Sequence, residues 1–170
     1  DENTVVVADI KSTLEYLNIP PKIQPVPTHQ RLVSQLEEFA KRLKHKYEHV
    51  VRVPLVPRLY IPENEIGSLR TEGDYTTASQ DVFSLMTFNN VLQEQYTQNG
   101  RTIHRVYMPI YPIPEIVGPL KVDPTGIKDI QLQALHAYQS LGVQVRPVLF
   151  GNIIGFDGAL RCSVKVLQRA

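Results

Sequence analysis

The chain has 170 residues, a formal net charge of +1 at pH 7 and a single cysteine. This length fits one ordinary domain, or a large piece of one, with a core that needs no covalent staple. The near-zero charge gives no electrostatic basis for binding nucleic acid or an anionic membrane, so we expect neither partner. One cysteine excludes an internal disulfide and leaves the compartment open, and no apolar run approaches the length of a membrane span.

The chain begins with elements that predict an alternation of strands and helices. A β-branched run over residues 4–8 indicates a strand, and residues 9–17 favour a short helical segment. Pro25 and Pro27 then mark an extended connection, because proline interrupts regular hydrogen bonding.

The clearest helix of the first half follows, with Thr28 as its predicted N-cap. Apolar residues recur at helical spacing on one side, and charged residues fill the other. The side expected to be buried carries Leu32, Val33, Leu36, Phe39, Ala40 and Leu43. The side expected to be solvated carries Glu37, Glu38, Lys41, Arg42, Lys44 and Lys46. Residues 50–56 are a predicted strand.

The middle of the chain contains its least regular stretch, residues 58–82. A loop of this length in a compact domain is usually functional or disordered. Residues 83–88 are strand-like, and residues 89–96 alternate well enough to predict a further strand. The dipeptide Asn99-Gly100 predicts a tight turn into a partner strand over residues 101–108.

The second half repeats this plan after a proline-rich connection over residues 109–124. A helix is predicted over residues 125–141, with Gly142 ending it and a strand over residues 143–149 following. Pro147 favours a strand end or an edge position. The predicted buried residues of this helix are Ile127, Ile130, Leu132, Leu135 and Tyr138.

Residues 47–54 and 141–148 resemble each other, since each ends a helix and runs into a strand that carries an arginine and a proline. This similarity indicates two copies of one supersecondary unit.

The last predicted strand follows two glycines and contains Cys162, with Val164 and Val166 on the same face. A thiol just after a flexible loop can meet a substrate, but a lone cysteine in a domain of this size is often an inert buried hydrophobe. The residues alone leave both interpretations open.

Four segments, in this order, resemble the pentein superfamily of guanidine-modifying enzymes, and most of all its bacterial peptidylarginine deiminase and agmatine deiminase branch. The first three correspond to an aromatic-x-Asn-x-Leu strand, a strand ending Val-x-Pro-x-Tyr, and a helix with Ala-Leu-x-x-Tyr before Gly-x-x-Val. The fourth corresponds to the terminal Gly-x-(Ile/Val/Leu)-His-Cys-x-Thr motif, with Arg161 in the place of histidine. The segments are residues 87–92, 105–111, 133–145 and 158–163.

This resemblance implies an α/β fold of two ββαβ-like modules from a five-module pentein propeller. The first would span residues 1–82, including the irregular loop 58–82, and the second residues 83–170 with the terminal cysteine strand. The family's His-x-(Asp/Glu) motif matches none of the five histidines. We therefore expect the general base upstream of Asp1, and no deiminase activity from this chain alone.

The resemblance also implies a catalytic role for Cys162, whose thiolate would attack the guanidinium carbon of agmatine, arginine or peptidyl-arginine. Asn89, Asn90 and Asp157 are the candidate substrate-binding residues, although local turn or backbone hydrogen bonding is the commoner role of such residues. Asp74 and Asp81 are further candidates only because their loop can border a site. We expect no cofactor, and no metal, because His104 and His136 lack metal-ligand spacing.

Two other functions stay open. Arg161 in place of the family's histidine fits a non-catalytic pentein-like binding module, and an amidinotransferase uses the same thiol with an amine acceptor. Exposed module edges favour association, so a homo-oligomer is expected.

Overall fold

The computed structural model describes residues 3–19, 23–60, 81–83, 86–112 and 124–150. These ranges mix helices and β-sheets, in agreement with the predicted α/β class. The elements, in chain order, are β1 Thr4–Asp9, α1 Lys11–Leu17, β2 Gln24–Pro25, α2 Pro27–Leu43, β3 His49–Val56, β4 Leu59–Tyr60, β5 Asp81–Phe83, β6 Met86–Thr87, β7 Leu92–Gln98, β8 Arg101–Ile110, α3 Pro124–Gln139 and β9 Gln144–Leu149.

Two parallel strand pairs, each with a long helix between its strands in sequence, organise this part of the chain. β1 pairs in parallel with β3, and α2 lies between them in the sequence. β8 pairs in parallel with β9, and α3 lies between them. The two similar segments, residues 47–54 and 141–148, therefore lead into the second strand of each pair, as a repeated unit requires.

The remaining pairings complete three small sheets among the described residues, with strand orders β1-β3-β6, β2-β4-β5 and β7-β8-β9. The predicted hairpin is present: β7 and β8 are antiparallel, with Gln98 opposite Arg101. Asn99 and Gly100 have φ angles of 50° and 72°, which is the left-handed geometry that a two-residue hairpin turn requires. Pro147 lies in β9, at the edge of its described sheet, as predicted.

One hydrophobic core joins the described parts of the two predicted modules. β6 pairs with the end of β3, and α3 packs against both β3 and β9. The buried residues of this core are Ile23, Val53, Val56, Leu59, Met86, Phe88, Val91, Val106, Met108, Tyr111, Ile127, Ile130, Ala134, Tyr138 and Phe150. In the described ranges, no helix has the length and apolar character needed to cross a membrane.

The prediction of Thr28 as the N-cap of α2 is wrong. The helix begins two residues earlier, with Val26 as its N-cap and Pro27 in the first turn. Proline is favoured at the first helical position because its fixed φ already suits the helix and its missing N–H would have no intrahelical partner. The proline that was expected to prolong the extended connection therefore starts the helix.

Three apolar side chains that the helical spacing placed on buried faces are exposed instead. Leu32 and Phe39 on α2 are 39% and 52% exposed, and Leu132 on α3 is 44% exposed. Other residues of the same helices are fully buried, Ala40 on α2 and Ala134 on α3 among them. Only part of each predicted apolar face therefore meets the core.

Glu37, expected on the solvated face of α2, forms an ion pair with β3. Arg52 Nη1 donates to Glu37 Oε1 at 2.7 Å, and Arg52 Nη2 donates to Oε2 at 3.3 Å. This two-point geometry is the favourable one for a guanidinium and a carboxylate. The hydrogen bond from Arg52 is the main reason that the pKa of Glu37 lies below its usual value of 4.5.

The Glu37–Arg52 pair should make the free energy of unfolding depend on pH in the acid range. Because the folded pKa of Glu37 is lowered, its contribution is fully present above pH 4.5 and is lost as the pH falls through the folded pKa. We therefore expect Glu37→Gln to lower the melting temperature at pH 7 and to have little effect at the acid end of the folded range. Glu38→Gln, at an exposed neighbour on the same helix, is the control. An equal effect of Glu37→Gln at both pH values would contradict the assignment.

Candidate functional site

The predicted site residues Asn89 and Asn90 lie in a bend between β6 and β7. β6 ends at Thr87, the chain bends at Phe88 and Asn89, and β7 begins only at Leu92. The prediction of a strand from residue 89 is therefore wrong at its start. Asn89 is exposed and Asn90 is partly buried, whereas Phe88 between them and β6 is fully buried.

Tyr111, at the end of β8, fixes the backbone just before this bend. Its hydroxyl donates to the Thr87 carbonyl at 2.9 Å and accepts from the Thr87 N–H at 3.2 Å. Its ring lies edge-on to Phe88, with ring centroids 5.4 Å apart. Burial raises the pKa of Tyr111 to about 12, so the hydroxyl keeps its proton and continues to donate at any physiological pH.

Tyr138, near the end of α3, fixes the next residue of the bend. Its hydroxyl donates to the Phe88 carbonyl at 3.0 Å, and burial raises its pKa above the ordinary value for tyrosine. Because Phe88 is turned away from the strand ladder, its buried carbonyl needs a partner from elsewhere in the fold. The helix supplies that partner.

Gln131, also on α3, holds Tyr111 in turn. The Tyr111 N–H donates to Gln131 Oε1 at 2.7 Å, and Gln131 Nε2 donates to the Tyr111 carbonyl at 3.2 Å. One side-chain amide thus satisfies both backbone groups of a residue that has just left the β8 ladder. We call Tyr111, Gln131 and Tyr138 the bend clamp.

The side chain of Asn89 is itself oriented by this arrangement. The hydroxyl of Thr87 donates to Asn89 Oδ1. An amide oxygen has two lone pairs, so Oδ1 keeps one acceptor position. A guanidinium group has only donors, so this acceptor is of the type that such a ligand requires.

The bend lies at the carboxyl ends of the parallel strands β8 and β9. The Phe150 N–H, directly after β9, donates to the Ile110 carbonyl at the end of β8 at 2.7 Å, and the Phe150 ring lies edge-on to Tyr111. In open α/β sheets this edge is where ligands bind. Asn89 and Asn90 therefore occupy a position suited to a site.

The other predicted site residues are not placed by the structure. Cys162, Asp157 and Asp74 lie outside the described residues. Asp81 is the first residue of β5, but its side chain is not among those that the structure describes. Within the described ranges, no group of three histidine, cysteine or acidic side chains could hold a metal ion.

The bend clamp was not predicted, although the sequence contained a signal for it. Tyr111 closes the strand motif and Tyr138 closes the helix motif, and each tyrosine binds the backbone at the start of the asparagine motif, at Thr87 or Phe88. The residue patterns of the two motifs, over residues 105–111 and 133–145, predicted a strand and a helix. They did not predict that both final tyrosines point at one bend.

A second polar cluster, also not predicted, crosses the sheet β7-β8-β9. Arg105 Nη1 donates to Glu94 Oε2 at 3.2 Å, and the hydroxyl of Tyr107 donates to the same oxygen at 2.9 Å. Arg105 Nη2 donates to Tyr96 and to Gln144 Oε1. The hydrogen bond with Tyr107 is the main reason that the pKa of Arg105 is raised. Because the carboxylate is already held by two donors, this cluster serves to tie the three strands together.

A groove of about 700 Å³ lies between the sheets β1-β3-β6 and β7-β8-β9, and neither Asn89 nor Asn90 lines it. His49 and His104 border it, and Val6 and Val106 form part of its apolar wall. His104 is exposed on its strand. The groove nevertheless reaches the bend clamp, because Tyr138 lines it.

No protein-family model, curated protein or solved structure matches this chain.

Proposed function

We propose that this chain is the nucleophile-bearing C-terminal part of a pentein-type deiminase that acts on agmatine, arginine or peptidyl-arginine. The observation that supports this most is the contact between the three motif segments. The tyrosines that close the strand and helix motifs bind the backbone that presents Asn89, so segments identified separately by their residues form one unit in the fold.

The two parallel strand pairs support the same proposal at the level of architecture. Each pair has a long helix between its strands, and β7 adds a hairpin strand to the second pair. From β7 onwards the described order is thus strand, strand, helix, strand. We propose that the two units are adjacent modules of the five-module propeller that the resemblance implies.

The proposed reaction uses Cys162 as the nucleophile. Its thiolate attacks the guanidinium carbon, the tetrahedral adduct transfers a proton to the departing nitrogen, and ammonia leaves. Water then attacks the S-linked amidino carbon and releases a ureido product and the thiol. Asn89, Asn90 and Asp157 would bind the cationic substrate, and the base that manages the protons would come from the part of the protein upstream of Asp1.

The test is ammonia release by the protein that contains this chain together with the sequence encoded upstream of it. We expect release from at least one of agmatine, arginine and a peptidyl-arginine substrate, and loss of that activity in Cys162→Ala. Ser163→Ala, at the next position in the chain, is the matched control and should remain active. Activity that survives Cys162→Ala would overturn the proposal, and turnover only with an added amine acceptor would indicate an amidinotransferase.

Arg161 supports one competing proposal, a non-catalytic binding module of the same fold. It occupies the position at which the family commonly has histidine. Labelling with iodoacetamide at neutral pH separates the two proposals, because a thiolate poised for attack labels fast and a buried thiol labels only after denaturation. Fast labelling that arginine or agmatine protects against would favour the enzyme.

A further inference from the structure

The exposed amide of Asn89 has hydrogen-bonding capacity that the described part of the fold does not use. Its Oδ1 accepts from the hydroxyl of Thr87, which is a buried residue. Its Nδ2 has no hydrogen-bond partner among the described contacts, and the residue is exposed. Because a side-chain amide has two N–H donors and two lone pairs, two donors and one acceptor position of Asn89 are open to a ligand.

The hydrogen bond from Thr87 also decides which end of this amide points outward. Oδ1 and Nδ2 diverge from the same carbon, so a buried hydroxyl that holds Oδ1 directs Nδ2 away from the core. The backbone just before Asn89 is held as well, since Tyr111 binds Thr87 and Tyr138 binds Phe88. A polar group that is fixed in advance loses little conformational entropy when a ligand binds, and it therefore contributes more to affinity.

This amide complements a ligand group that carries a donor and an acceptor side by side. The donor pairs with the remaining lone pair of Oδ1, and the acceptor receives an N–H from Nδ2. A guanidinium can use Oδ1 but places its own N–H groups against those of Nδ2. Agmatine has a guanidinium at one end and an ammonium at the other, and both groups have donors only.

Arginine and peptidyl-arginine carry the complementary pair of groups at the α carbon. Free arginine has an ammonium beside a carboxylate, and peptidyl-arginine has the N–H and the C=O of its backbone. We propose that Asn89 is a specificity-determining residue that binds this α-amino acid backbone, so that arginine or peptidyl-arginine is the substrate in preference to agmatine. This inference rests on the proposed deiminase function.

The roles of three residues are then separate. Cys162 attacks the guanidinium carbon in the proposed function, whereas Asn89 binds the opposite end of the substrate. Thr87 is a positioning residue, because its hydroxyl sets the orientation of the Asn89 amide without contacting the substrate.

The ratio of kcat/KM for an arginine substrate to kcat/KM for agmatine tests the proposal, because agmatine is arginine without its carboxylate. The assay is ammonia release by the protein that contains this chain and the sequence encoded upstream of it. Its substrates are agmatine, arginine and an N-acetylated arginine amide. A hydrogen bond to a charged group contributes roughly ten- to a hundredfold, so we expect a ratio of about ten or more for at least one arginine substrate. A high ratio for arginine alone identifies the free α-groups as the ligand, and one for the blocked amide alone identifies the peptide backbone.

Asn89→Asp tests the donor role of Nδ2. The substitution replaces both N–H donors by an oxygen and places a negative charge against the substrate's carboxylate or carbonyl, so the ratio should fall about tenfold or more. Asn99→Asp makes the same change at an exposed asparagine just after β7, in a left-handed conformation that aspartate also tolerates, and should keep the ratio. Because both substrates are measured on the same protein, a loss of folded enzyme cancels in the ratio.

Thr87→Val and Thr87→Ser test the positioning role. Valine keeps the size of threonine but has no hydroxyl, so the Asn89 amide can rotate and the ratio should fall. Serine keeps the hydroxyl and should restore the ratio. A ratio that is the same in both variants would contradict the role of Thr87, and circular dichroism shows that both variants are folded.

The failure of this inference and the failure of the proposed function give different results. Agmatine turned over at least as efficiently as both arginine substrates, or a ratio that Asn89→Asp leaves unchanged, would overturn the inference while ammonia release still required Cys162. Ammonia release from none of the three compounds, or release that survives Cys162→Ala, would overturn the proposed function and this inference with it.

Discussion

Replacing Phe88 with alanine should lower the free energy of unfolding by about 3–5 kcal/mol, the range for removing a buried aromatic side chain. Phe88 is fully buried, and its ring packs edge-on against Tyr111 at 5.4 Å between centroids. It lies directly after β6, where the two halves of the chain share one core. The surrounding strands and α3 are held by their own hydrogen bonds, so they cannot collapse fully into the space that the ring leaves.

Urea unfolding followed by circular dichroism measures this loss as a shift of the midpoint. Leu132→Ala, which removes an apolar side chain that is 44% exposed, is the matched control and should change stability by no more than about 0.5 kcal/mol. Phe88→Leu keeps most of the buried volume and should recover a large part of the loss. If Phe88→Ala cost no more than the control, the side chain could not occupy the core position described here.

Short sequence patterns were sufficient to predict the turns and ends whose conformation depends on the residues at that position. Asn99-Gly100 predicted the hairpin because few other dipeptides accept positive φ at both positions, and both residues have it. Gly142 has the predicted left-handed φ, 72°, although α3 ends at Gln139, two residues before the predicted end, and a turn over residues 140–142 connects the two. Pro147 predicted a strand end or an edge position because proline cannot donate to a second neighbour, and β9 lies at the edge of its sheet among the described strands.

The sequence failed where a distant residue decides the local conformation. Residues 89–96 alternate as a strand would, yet the first of them lie in a bend because Tyr111 and Tyr138 bind the backbone of Thr87 and Phe88. Nothing within the bend itself contains that information. The same limit applies to Glu37, whose spacing on α2 indicated a solvated face until β3 brought Arg52 against it.

Part of the candidate site could be predicted from the sequence, and part of it could not. Asn89 and Asn90 were identified through a motif, and the structure places them at the carboxyl ends of β8 and β9. The bend clamp that presents them depends on contacts between residues about 24 to 50 positions apart, so no local pattern could reveal it. Whether Cys162 and Asp157 approach this bend stays a prediction.

Replacing Tyr111 with phenylalanine should cost about 2–6 kcal/mol of stability at pH 7, although it removes only one oxygen atom. The variant leaves the N–H and the carbonyl of Thr87 without their partner in a buried position, and each such group costs about 1–3 kcal/mol. Tyr16→Phe removes a hydroxyl that donates to Asp129 on the surface, where water replaces it, and is the matched control. A loss for Tyr111→Phe no larger than for Tyr16→Phe would contradict the clamp.

The pH dependence of the unfolding free energy shows whether the loss in Tyr111→Phe comes from the missing hydroxyl or from a change in how the ring packs. Its pKa is raised to about 12 in the folded state from 10.0, so the neutral form is favoured by folding. The stability that this group contributes is complete below pH 10.0 and declines as the pH rises towards 12. The difference in unfolding free energy between the unmodified chain and Tyr111→Phe should therefore shrink above pH 10. A difference that stayed constant would mean that the ring, and not the hydroxyl held between the two backbone groups of Thr87, carries the effect.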